Sequence, residues 1–192
     1  LIEMVQGEGG IRPVTREFAQ AVSEICKDRN ILFIADEVQA GLGRTGAWWA
    51  FQNFDIRPDV LTTAKALANG LPMGAMMATN EVAAAFVAGS HATTFGGGAL
   101  LSVAAAKVFE IMERDKLPER AGSLGKWTMD RFRDVGKKCP GCIVDVRGMG
   151  LMMGIELAFP GKEVWQSLLE QGFILNLTQE KVLRLLPALT IS

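Results

Sequence analysis

Short apolar runs alternate with amphipathic stretches through the first hundred residues, a rhythm of strand and helix in turn. Leu1–Val5 is apolar and closes in Gly7-Glu8-Gly9-Gly10. From Thr15 to Arg29 the residues Phe18, Val22, Ile25 and Cys26 recur at helical spacing, which predicts a helix with that face inward. Ile31-Leu32-Phe33-Ile34-Ala35 is apolar without alternation, as in a strand covered on both faces of a parallel sheet. Val60–Thr62 and Gly74–Ala78 read as further strands. Asn80 is placed to cap a helix running to about Val87, and Leu100–Arg114 forms another. Alternation of this kind implies an α/β layer architecture.

Beyond Pro118 the texture changes. A helix over about Glu119–Lys137 leads into a strand pair, Ile143–Arg147 and Leu151–Leu157, around Gly148-Met149-Gly150. A helix at Lys162–Gln171 and strands at Phe173–Asn176 and Val182–Leu186 complete the pattern. The expected organisation is therefore an α/β domain over residues 1–115 and a smaller α+β domain over 116–192, joined near Asp115–Pro118.

Composition narrows the function classes only slightly. The chain has 192 residues, 49% of them hydrophobic, and a formal net charge of -1. That balance gives no electrostatic reason to expect nucleic acid or a membrane surface as partner. No apolar run nears the roughly 18 residues of a membrane span. The opening residues lack the basic and apolar regions of a signal peptide, so a cytoplasmic location is the simplest expectation. Cys139-Pro140-Gly141-Cys142 is either a redox pair, half of a metal site, or a plain turn between helix and strand. With His91 the sole histidine and no second cysteine pair, a zinc site lacks ligands. The turn reading is preferred.

Two residues stand out chemically. Asp36 directly follows a buried strand, and in open α/β sheets the carboxyl ends of strands open into the ligand crevice. Its ordinary role is to cap a turn. Lys65, in Thr62-Thr63-Ala64-Lys65-Ala66, also follows an apparent strand, among small apolar residues. Surface lysines are common, but one removed from water loses proton affinity and attacks carbonyls. A carboxylate beside a protonated ring nitrogen and a lysine for an aldehyde are the two needs of pyridoxal phosphate. Asp36 and Lys65 on different strand ends match those needs.

Longer motifs carry a resemblance. Gln6–Gly10, Asp36–Gly46, the Lys65 segment, Thr93-Thr94-Phe95-Gly96-Gly97, Val146–Gly150 and Leu183-Arg184-Leu185-Leu186-Pro187 resemble, in order and spacing, the class III aminotransferases. The resemblance covers essentially the whole chain. It implies the aspartate aminotransferase-like fold (fold type I), with a mainly parallel sheet in the large domain and a small α+β carboxy-terminal domain. It further implies pyridoxal 5'-phosphate as cofactor. By matching position, Asp36 pairs with the pyridinium nitrogen, Val38 packs on a ring face, and Gln39 bonds the 3-hydroxyl. Lys65 is then the Schiff-base lysine and proton shuttle. Thr94 donates to the cofactor phosphate of the partner subunit in a homodimer. Arg184 grips a substrate carboxylate, Glu8 is a switch carboxylate that pairs with it, and Glu3 lines the substrate pocket. Each has an ordinary reading too: Arg184 as a strand-edge residue, Glu8 as a solvated loop acid, Thr94 as a turn residue.

The stretches Gly161–Trp165, Gly172–Asn176 and Val182–Arg184 most resemble acetylornithine aminotransferases. The implied reaction moves the terminal amino group of N-acetylornithine to 2-oxoglutarate, in arginine biosynthesis. Ornithine, 4-aminobutyrate and succinyl-diaminopimelate aminotransferases share the same motifs. Gly98-Ala99 stands where many relatives have Asn-Pro, and Ala40 where they often have Thr or Ser, which affects subfamily rather than chemistry. The amino-terminal half of such enzymes, with its phosphate loop and stacking aromatic residue, is absent. The chain is therefore expected to be a fragment, inactive alone. A non-catalytic remnant is the competing reading.

Overall fold

The strands are short, and the sheet edges they share decide where side chains converge. The structure, a computed structural model, describes residues 1–192. Its strands are β1 (Ile2–Glu3), β2 (Val5–Gln6), β3 (Arg12–Pro13), β4 (Ile34–Asp36), β5 (Val60–Thr63), β6 (Ala75–Ala78), β7 (Ile143–Met149), β8 (Met152–Leu157), β9 (Asn176–Thr178) and β10 (Val182–Leu185). Its α-helices are α1 (Arg16–Asp28), α2 (Asn80–Ala83), α3 (Ala99–Arg114), α4 (Leu117–Lys138) and α5 (Lys162–Glu170). Two 3-10 helices, Ala50–Phe54 and Lys65–Ala68, follow β4 and β5.

One sheet runs β1-β4-β5-β6, with β1, β4 and β5 parallel and β6 antiparallel. The second runs β7-β8-β10-β9 and is antiparallel throughout. A small hairpin, β2-β3, lies between β1 and β4 in sequence, and its β3 packs against β7 of the second sheet. The fold is thus α/β with a mainly parallel sheet, followed by an antiparallel α+β unit. No helix is long and apolar enough to cross a membrane.

Several expected elements shift, each for a local reason. β4 begins at Ile34, because Ile31 and Leu32 are exposed and Asn30 turns into the left-handed region. Helix α1 turns Ala19, Val22 and Cys26 to the core and leaves Phe18 and Ile25 about half exposed. Ala19 decides this, since a methyl lets the helix approach Met4 and Phe33 where a larger side chain would stand it off. Thr79, not Asn80, caps α2: its hydroxyl accepts from the Val82 N–H, and the helix ends at Ala83. Phe173-Ile174 is an exposed connection, and the strand instead pairs Asn176–Thr178 with β10. Helix α4 starts before Pro118, which needs no N–H in a first turn. Cys139 and Cys142 are joined by a disulfide across their Pro-Gly turn, so the segment is both a turn and a bonded pair.

Three apolar clusters hold the elements together. The first packs Met4, Val5, Ile11, Ala19, Phe33 and Phe54 with Met152 of β8, so residues that flank β1 and β4 meet the antiparallel sheet. The second lies between α4 and the antiparallel sheet, with Ala121, Met129, Leu151 and Ile155. Helix α4 buries Leu117, Ala121, Gly125 and Met129, four residues apart, as a helix with one inward stripe must. At Gly125 the approach is closest, because a Cβ there would sit 1.8 Å from the Gly150 carbonyl oxygen. A third cluster, Leu42, Leu67, Ala105, Met112 and Leu117, seats α3 against the turn after β5.

Candidate active site

Parallel pairing places the strand ends in one row. Asp36 ends β4 and lies in register with Glu3 of β1 and Thr62 of β5. Lys65 follows three residues beyond Thr62, at the start of the 3-10 helix. The two residues that sequence chemistry singled out therefore emerge from neighbouring parallel strands at the same sheet edge, where ligands enter α/β folds.

The turn after β4 is fixed from within. The half-buried Asp36 accepts, at Oδ1, a hydrogen bond of 3.0 Å from the Val38 N–H. Glu37 is buried, at 1% exposure. Its Oε2 accepts from Ala50 N–H at 2.7 Å and its Oε1 from Phe51 N–H at 2.9 Å, capping the 3-10 helix. Burial pushes the Glu37 carboxyl up to about 7; the two N–H donors pull it down, and the neighbouring Asp36 charge adds to the rise. The sequence reading missed Glu37, although it continues the inward alternation of Phe33 and Ala35. Gln39 lies over Gly7 so closely that a Cβ on Gly7 would sit 2.2 Å from Gln39 Oε1. That packing brings the turn after β4 against the Gln6–Gly10 loop.

Lys65 has φ +48, a left-handed conformation costly for a side chain with a Cβ. It is exposed, so this chain by itself does not supply the desolvation expected of it. Its positive charge does reach the Gln6–Gly10 loop, since it contributes to holding the Glu8 carboxyl below its ordinary range. The hydrogen bond and charge of Arg184 are the larger causes of that lowering. Glu8 and Arg184 form an ion pair, with the Arg184 side chain largely buried and Glu8 exposed. Arg184 also donates to Asn176 Oδ1 at 3.4 Å, while its Nε is buried without a partner.

Glu3 takes a bracing role: its Oε2 accepts from the Gly7 N–H at 3.2 Å. Thr94 sits on an exposed turn before α3 and stands apart from these residues in the hydrogen-bond network. Asp36, Gln39, Lys65, Glu8 and Arg184 thus connect through adjacent strands, one loop contact and one ion pair.

A carboxylate and a lysine at neighbouring strand ends, with a loop between them and an arginine that an acid covers, are an arrangement suited to transaminase chemistry. The class III aminotransferase family matches residues 1–192, and the chain belongs to that family. It is 46% identical over 192 residues to acetylornithine aminotransferase 1 of Bordetella pertussis, covering 100% of this chain and 49% of that protein. It is 40% identical over 193 residues to ornithine aminotransferase of an Exiguobacterium species, covering 48% of it. Ornithine aminotransferase of Toxoplasma gondii, a structure described with pyridoxal phosphate at partial occupancy in its active site, superposes with a TM-score of 0.94. That pair shares 33% identity over 100% of this chain and 46% of the other. The chain spans about half the length of the curated relatives it matches.

Pyridoxal phosphate is the cofactor of class III aminotransferases, and the residues present fit it. Gln39 Oε1 is buried with no partner in the chain, as an acceptor reserved for a hydroxyl would be. Asp36 is an ionisable acceptor at the same strand end, and Lys65 is an exposed amine one strand away.

Proposed function

We propose that the protein to which this chain belongs moves the terminal amino group of N-acetylornithine to 2-oxoglutarate, releasing the semialdehyde and glutamate. The observation that carries this reading is the placement of Asp36 and Lys65 at the same edge of neighbouring parallel strands, with Gln39 packed on the loop that carries the Arg184–Glu8 pair. Asp36 would hold a proton on the ring nitrogen, Gln39 would bond the ring hydroxyl, and Val38 would pack on a ring face. When bound, the cofactor supplies an aldehyde for amines and a sink for electrons. Lys65 Nζ would hold that aldehyde and would take and return the proton at the amine-bearing carbon of the substrate. Arg184 binds the carboxylate of 2-oxoglutarate through its forked donors, once Glu8 has moved aside. With Glu8 covering it, Arg184 no longer repels or misdirects the amine-bearing end of the donor. Glu3 braces the loop beside that pocket. Thr94, on its exposed turn, suits a donor to the cofactor phosphate of a second subunit. The 46% identity to an acetylornithine aminotransferase supports the donor, and the match to an ornithine aminotransferase makes ornithine the second candidate.

Incubation with pyridoxal phosphate, borohydride reduction and peptide mapping will test this reading. The expected result is a phosphopyridoxyl adduct on Lys65, lost in Lys65→Ala. If the full-length protein carries no adduct there, the aminotransferase reading fails. Initial rates with N-acetylornithine, ornithine and 4-aminobutyrate then rank the donors.

A further inference from the structure

Glu8 belongs by sequence to the half of the chain that builds the parallel sheet, yet its loop is fastened to the other sheet. Arg147 of β7 donates from Nε to the Gly10 carbonyl at 3.0 Å and to the Ile11 carbonyl at 2.8 Å. Its Nη2 reaches the Gly10 carbonyl again at 2.7 Å. The remaining nitrogen, Nη1, is anchored to Asp145 Oδ2 at 3.0 Å and to Glu156 Oε2 at 2.5 Å. The guanidinium is therefore oriented from behind by two carboxylates of its own sheet while its front grips the loop.

Two further contacts point the same way. Thr178 Oγ1 and Gln179 Nε2 donate to the Glu8 carbonyl at 2.8 and 3.0 Å. Ile11 is fully buried with φ +52, a strained conformation for a β-branched residue, and seats on Gly154 of β8. A Cβ at Gly154 would lie 2.9 Å from Ile11 Cβ, so the bare backbone of β8 is what admits it. Strain of this sort persists only where surrounding contacts over-determine the backbone, and Arg147 and Gly154 supply those contacts.

We propose that Arg147 is a positioning residue that latches the backbone of the Glu8 loop to the antiparallel sheet, so that the backbone stays beside Arg184 and only the Glu8 side chain swings when the pair opens. This rests on the reading of Arg184 and Glu8 as the substrate-carboxylate gate. Arg184 sits on β10 of the sheet that Arg147 belongs to. The latch favours the closed gate by geometry: Glu3 and Gln39 brace the loop at Gly7 from the parallel sheet, and Arg147 fixes its far end at Gly10 and Ile11, so the Glu8 carboxylate stays in reach of Arg184. A free loop would instead leave the pairing to chance encounters of an exposed acid. The charged groups that act on Glu8 are Arg184 and, more weakly, Lys65.

The test follows the Glu8 carboxyl by carbon-13 NMR across a pH titration of the cofactor-free protein. In the parent, Glu8 should titrate below the ordinary glutamate range. In Arg147→Met it should move back most of the way, and in Arg147→Lys part of the way. Met153→Ala, a cavity in the same sheet, should lower stability but leave the Glu8 titration unmoved. An unchanged Glu8 titration in folded Arg147→Met overturns the proposal. If that variant does not fold, Thr178→Val with Gln179→Ala decides alone: a rise in the Glu8 titration supports the latch, and no rise overturns it. Because no cofactor is present, the outcome is independent of whether Lys65 forms an adduct. In the active enzyme, Arg147→Met should lower KM for 2-oxoglutarate severalfold and raise it for the amine donor, whereas parallel rises in both would contradict the latch.

Discussion

The parallel sheet presents Asp36, Val38, Gln39 and Lys65 from strand ends and turns, half-buried or exposed, with Gln39 Oε1 unpaired. The antiparallel sheet holds Arg184 and the Glu8 loop by an ion pair, five hydrogen bonds from Arg147, Thr178 and Gln179, and a seated isoleucine. One region leaves polar groups open for what binds there. The other joins its polar groups to each other and must break a contact to admit anything. Open groups suit a cofactor held through many turnovers, and a closed pair suits substrates that come and go.

The tightest backbone contact of the antiparallel region, at the turn that meets Arg44 and Thr45 of the other, should show the largest effect. Gly125→Ala would drive a methyl into the Gly150 backbone, which itself lies against Arg44 and Thr45. A loss of about 3 to 5 kcal/mol in denaturant unfolding is expected, since neither backbone has room to give. A loss under about 1 kcal/mol would mean that α4 slides freely against the turn.

The parallel-sheet side breaks next, at Glu37. Removing it in Glu37→Ala strands two buried N–H groups and should cost about 2 to 4 kcal/mol near pH 5. The carboxyl is protonated more readily in the fold than in the unfolded chain, rising from 4.5 to about 7. Its contribution is therefore full below pH 4.5 and is lost as pH rises through 7, a decline on the order of 3 kcal/mol at most. Stability curves for parent and Glu37→Gln should converge as pH rises over that window. Parallel curves would mean that Glu37 is ionised throughout. The smallest expected effect on stability is at Asp36. Asp36→Asn keeps an oxygen for the Val38 N–H, so the unfolding midpoint should shift by no more than about 0.5 kcal/mol. Cofactor loading should nonetheless fall at least tenfold, because a neutral amide cannot hold a proton on a ring nitrogen. Unchanged loading would remove Asp36 from the site.

Much of this was legible in the sequence, because strand ends and glycine motifs are local signals. Asp36 and Lys65 follow apolar runs, and the order of elements follows from their periodicity. What escaped depends on contacts between distant segments. Two adjacent acids, Asp36 and Glu37, look alike as residue types; the alternation from Phe33 and Ala35 points Glu37 inward, and the N–H groups of Ala50 and Phe51 that receive it there are distant in sequence. Arg147 read as part of a motif, but its partners, Gly10 and Ile11, lie more than a hundred residues away. Phe173-Ile174 misled for the same reason: β-propensity is high there, yet the ladder that β10 offers begins at Asn176.

The presence of Met152 in the cluster of Met4, Val5 and Phe33 has a consequence for biogenesis. Residues at the start of the chain cannot complete their core until β8 has been synthesised. At ribosomal speeds of about 5 to 20 residues per second, that wait is roughly 10 to 30 seconds. During it Met4, Val5 and Phe33 remain available to chaperones and to wrong partners. Completion of that shared cluster thus waits on a strand of the other sheet.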